Sequence, residues 1–60
     1  MSGDLVVQIQ DCLVQMGYLG SVTGEYDNAT TDAVKAFQRD NGLTADGVAG
    51  ERTLVILFGY

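Results

Sequence analysis

The sequence predicts an all-α domain: three helices packed around one compact core. Three observations carry that expectation. Three stretches place apolar residues at helical spacing. Each is bounded by a capping residue or a glycine. No stretch alternates strictly enough between apolar and polar residues to read as a strand.

The first helix is expected from Asp4 to Met16, with Leu5, Val6, Ile9, Cys12, Leu13 and Met16 on one face and Gln8, Asp11 and Gln15 opposite. Ser2 or Asp4 supplies its N-cap, and Gly17 its left-handed end. A glycine-rich loop follows, from which Tyr18, Leu19, Val22 and Tyr26 fold back onto the core. The second helix is expected from Asn28 to Asn41, capped by Asp27, with Thr30, Ala33, Val34 and Phe37 on its inner face. Gly42 ends it and Leu43 packs back on its last turn. The third is short, Glu51 to Phe58, with Gly50 at the cap, Glu51 favourable against the helix dipole, and Leu54, Leu57 and Phe58 facing inward. Gly59 and Tyr60 form the exit.

An internal repeat organises the chain. Gly24-Glu25-Tyr26-Asp27-Asn28-Ala29-Thr30 aligns with Gly47-Val48-Ala49-Gly50-Glu51-Arg52-Thr53 at an offset of 23 residues. Each copy reads as a glycine turn with positive φ, a cap that starts a helix, and a threonine in the first turn whose hydroxyl can bond locally. Ala33-Val34 and Ile56-Leu57 extend the correspondence. The repeat encodes a loop-to-helix corner used twice, within a single domain of residues 1–60.

Composition narrows function. Lys35, Arg39 and Arg52 stand against eight acidic residues, for a net charge of −5. Three scattered cations cannot displace counterions from a nucleic acid, nor dock the chain on an anionic membrane. No histidine is present, removing the commonest general base and metal ligand. Asp27, Asn28 and Asp32 do not meet calcium-loop spacing, so no metal and no cofactor is expected. Cys12, the lone cysteine, lies on an apolar helix face and reads as a buried structural thiol. Three short helices can hardly enclose a sugar ring between two acids, so no catalytic residue is expected. No signal peptide or transmembrane segment is visible, so export falls to a parent protein, or the sequence is a piece of one.

The ordered pieces together are similar to the peptidoglycan-binding domain-like family of three-helix modules. They are Ile9-Gln10, Leu13 and Gly17-Tyr18; then Gly24, Tyr26 and Thr30; then Ala33-Val34, Phe37-Gln38 and Gly42-Leu43; and the closing Asp46-Gly47-Val48-Ala49-Gly50 with Thr53. Glu51 stands where the family often has proline, and Asp27 where many members have glycine; both substitutions suit a helix start. The resemblance implies non-catalytic attachment to bacterial peptidoglycan. It implies a linked wall hydrolase or phage endolysin partner, and residence at the cell wall, in the periplasm or outside the cell once a parent exports it. Such a module raises the local concentration of substrate for its partner.

A peptidoglycan stem peptide offers amides, carboxylates and, in many species, an ammonium. The end of the second helix and the two glycine loops carry matching groups: Tyr26, Asp27, Gln38, Arg39, Asn41, Asp46 and Gly47. Gln10 reads as a clamp on a loop; Gln38 fits equally a clamp or a groove wall. Tyr26 reads as a binding platform. A competing reading is a protein-interaction or structural module on the same scaffold, for which Val7, Val14 and the acidic surface are suited.

Overall fold

The structure, a computed structural model, describes residues 4–59. Helix α1 spans Asp4–Gln15, α2 Asn28–Asp40 and α3 Glu51–Phe58, and no strand occurs among the described residues. Helix α1 packs on both α2 and α3. The expected cap Ser2, the opening Met1-Ser2-Gly3 and the exit residue Tyr60 lie outside the described residues.

Along α1 the buried stripe is Val6, Ile9, Gln10 and Leu13. It is rotated toward Gln10 relative to the face that apolar periodicity alone defines. At about 100° per residue, that rotation carries Leu5, Cys12 and Met16 to the edge. Leu5 and Met16 are accordingly 40% and 48% exposed, and Cys12 is half-buried against the core rather than enclosed. Asp4 is the first helical residue, where its charge favours the positive end of the helix dipole.

Helices α1 and α2 end alike. Tyr18 N–H donates to Leu13 O (2.8 Å) and Gly17 N–H to Val14 O (3.1 Å). Leu43 N–H donates to Gln38 O (2.8 Å) and Gly42 N–H to Arg39 O (3.3 Å). Both are Schellman motifs, which satisfy the last carbonyls and turn the chain sharply. Asn41 caps α2 rather than extending it, its side-chain Nδ2 donating to Phe37 O at 2.8 Å.

The core is Ile9, Leu13, Ala33, Val34, Phe37 and Leu57. Leu13 and Val34 are wholly buried, each worth about 1.5–3 kcal/mol in apolar transfer. Tyr18, Leu19, Ala49, Leu54 and Phe58 close over this centre. Tyr18 meets Phe37 edge to face at 5.9 Å between ring centroids, and its hydroxyl donates to Asp40 Oδ2 at 2.6 Å. Val22 does not fold back onto the core: it is 42% exposed, because the loop carrying it is held by its backbone and by Thr23 instead.

Candidate functional site

Two buried glutamines hold the two corners. Gln10 and Gln38 are 0% and 1% exposed. The Gln10 amide oxygen accepts from Thr23 N–H (3.0 Å) and Gly24 N–H (2.8 Å). Its Nε2 donates to Glu25 O (2.7 Å), Thr30 Oγ1 (2.8 Å) and Thr23 Oγ1 (3.1 Å). Gln38 repeats this one corner later. Its oxygen accepts from Gly47 N–H (2.9 Å), and Nε2 donates to Val48 O (2.9 Å), Thr53 Oγ1 (3.1 Å) and Asp46 Oδ1 (3.1 Å). An uncharged amide offers two N–H donors beside an acceptor oxygen, so it can bond a loop backbone and a threonine together.

The backbones of the corners match as closely. Asp27 N–H donates to Glu25 O at 3.0 Å and Gly50 N–H to Val48 O at 2.8 Å. Thr31 N–H meets Asp27 O, and Leu54 N–H meets Gly50 O, both at 2.9 Å. Gly24 and Gly47 have φ of 83° and 78°, in the left-handed region that a Cβ disfavours. Asp27 caps α2 from an extended conformation, and Gly50 opens α3 from the same one.

Two differences separate the copies. The Asp27 carboxylate accepts from both the N–H and the hydroxyl of Thr30, each at 3.0 Å, which lowers its pKa below the usual carboxylate value, the backbone bond contributing most. Gly50 has no side chain to do this, so α3 starts without a side-chain cap. Second, a Cβ on Gly47 would stand 2.7 Å from Thr31 Cγ2, whereas one on Gly24 would meet open space. The second corner is pressed against α2, and Tyr26 fastens it there from the first: its hydroxyl donates to Gly47 O at 2.6 Å. Burial of this phenol raises its pKa.

Two grooves flank the second corner. One, of about 320 Å³, opens at the start of α3, with Asp46, Glu51 and Arg52 among its walls and Gln38 and Thr53 beneath. Asp46 keeps its carboxyl below the ordinary pKa because Val48 N–H and then Gln38 Nε2 donate to it, so it is ionised at neutral pH. The other groove, of about 450 Å³, lies between α1 and the same corner and is mainly apolar. Asp46 and Val48 line both.

Comparison with known proteins decides the family. The profile described as "Putative peptidoglycan binding domain" matches residues 2–57. The chain belongs to this peptidoglycan binding domain family. It is also 40% identical, over 57 residues, to a segment of the N-acetylmuramoyl-L-alanine amidase CwlM of Mycobacterium tuberculosis (strain ATCC 25618 / H37Rv); the match covers 93% of this chain and 14% of that protein. No solved structure matches the chain. Membership supports cell-wall binding, and the family is one of non-catalytic binding domains. Both agree with the resemblance carried by the Gln10, Gly24, Thr30 and Asp46-to-Thr53 pattern.

Within this peptidoglycan binding domain the residues singled out from sequence separate into three groups. Gln38 and Asp46 meet at the polar groove, and Tyr26, Asp46 and Gly47 at the apolar one. Asp27 is taken up by its own helix cap and Asn41 by the end of α2. Arg39 is exposed on the last turn of α2, outside both linings. Gln38, which sequence left open between clamp and wall, has its amide engaged with the corner. Sequence reading missed Glu51 and Arg52 as groove residues. The signal available was the glycine at position 50, where the first copy has an aspartate.

Proposed function

We propose that this chain binds bacterial peptidoglycan without catalysis, taking the stem peptide in the groove at the start of α3, and that it holds a linked or partner hydrolase at the wall. The observation that carries the reading is the mixed charge of that groove beside an uncapped helix end. Arg52 and the first-turn amides of α3 suit a stem carboxylate. Asp46 and Glu51 suit the ammonium of a diamino acid. Gln38 supports the wall from beneath, holding Asp46, Gly47 and Val48 in place, and Arg39 and Asn41 are outer contacts for a longer peptide. That the related segment occurs in a protein named as an amidase supports the linked-hydrolase part. The place of action is then the cell wall, in the periplasm or outside the cell.

Retention on purified sacculi tests this. The wild-type chain should co-sediment, Arg52→Ala should bind about tenfold more weakly, a loss of about 1.4 kcal/mol, and Arg39→Ala should change less. Failure of the folded wild-type chain to co-sediment would sink the reading. It would favour the interaction-module alternative, for which Val7, 40% exposed on α1, offers an apolar contact.

A further inference from the structure

We propose that the apolar groove between α1 and the second corner is a glycan subsite, taking an N-acetylated sugar of the same strand whose stem peptide enters the polar groove. This rests on the reading above. The groove is walled by Leu5, Ile9, Tyr26, Val48 and Ala49, with Asp46 at its edge. Among the described residues no cation lines it and its one charged group is the Asp46 carboxylate, so an anionic stem is a poor occupant. A neutral amino sugar fits the lining. Its acetamido methyl and ring C–H groups meet the aliphatic walls, and its hydroxyls or acetamido N–H meet the one carboxylate. Few polar groups set in an apolar wall, in a volume of about 450 Å³, are what sites for small neutral ligands present.

Two further features point the same way. The Tyr26 hydroxyl is held on Gly47 O, so the ring is fixed before any ligand arrives, and little ordering is left to be done on binding. Asp46 and Val48 belong to both grooves, and Val48 stands 64% exposed between them. In peptidoglycan the sugar and the stem peptide are joined covalently through a lactyl ether. A ligand crossing Val48 therefore meets the apolar groove with its sugar and the polar groove with its peptide.

The test compares two probes by calorimetry on the chain: a disaccharide-tetrapeptide and the same tetrapeptide without sugar. The disaccharide-tetrapeptide should bind about tenfold more tightly. Leu5→Ser, at a position 40% exposed and lining only the apolar groove of the two, should bring its affinity down to that of the bare tetrapeptide. Amide shifts at Val48 and Ala49 should respond to the disaccharide probe. Equal affinities for the two probes, with Leu5→Ser without effect, would overturn the glycan subsite and leave the stem-peptide reading standing. Binding of neither probe would overturn both.

Discussion

Gln10 and Gln38 do the same work at two places: each lies on an inner helix face and bonds the glycine corner and the first-turn threonine that follow it. The four positions Gln10 holds, Thr23, Gly24, Glu25 and Thr30, sit 23 residues before the four that Gln38 holds, Asp46, Gly47, Val48 and Thr53. The fold is thus pinned by two neutral amides, and no ion pair joins side chains across the described residues.

Removing either amide should be costly. Gln10→Ala or Gln38→Ala strips several bonds and leaves buried backbone groups unpaired, for a loss of roughly 3 kcal/mol. A domain of this size has only about 3–9 kcal/mol to lose. Urea denaturation measures it. Thr30→Val and Thr53→Val, which keep shape and lose one hydroxyl, should each cost about 1 kcal/mol. A glutamine variant no less stable than these would show the clamps to be incidental.

Gly24→Ala and Gly47→Ala should differ although their φ values are within a few degrees. Both force a Cβ into the left-handed region, at roughly 1–2 kcal/mol. Only Gly47→Ala also drives that Cβ into Thr31, adding about 1–3 kcal/mol for overpacking. Thermal unfolding should rank Gly47→Ala as the less stable, and Gly47→Ala with Thr31→Ser should recover part of the difference. Equal melting temperatures for the two single variants would contradict the close approach.

Asp27 and Asp46 have lowered pKa values in the folded chain, chiefly through the backbone N–H groups of Thr30 and Val48. The unfolded chain binds their protons more readily, so each contributes stability that is whole above the ordinary value of 3.8 and is lost as pH falls through the lowered one. Stability should hold steady near neutrality and decline only as pH falls through 3.8 and below. Asp27→Asn keeps a good cap while removing the titrating group. Denaturation midpoints across pH should show a shallower acid limb for Asp27→Asn; an unchanged limb would exclude Asp27 as its source.

Much of this was legible in the residues. Helix limits, the Asp27 cap, the glycine corners and the doubled threonine follow from local chemistry, and the structure shifts the two helix ends by a single residue. The glutamines were harder. Periodicity counts apolar residues, so an amide at the centre of a buried stripe moves the inferred face, and Leu5 and Met16 were drawn inward with it. The grooves were least legible. Asp46, Glu51 and Arg52 converge only once the second corner is seated on α2, and that seating depends on Tyr26, which stands 21 positions before the Gly47 carbonyl it bonds.

The bare glycine at position 50 has a consequence for how such a domain can be improved. An aspartate there would copy Asp27, closing the start of α3 on itself and adding a few tenths of a kcal/mol. It would also fill the mouth with a carboxylate of its own. If the start of α3 is the ligand groove proposed above, variants selected for toughness should drift toward an acid at this position and bind the wall more weakly, so that ligand and heat resistance compete for one backbone turn.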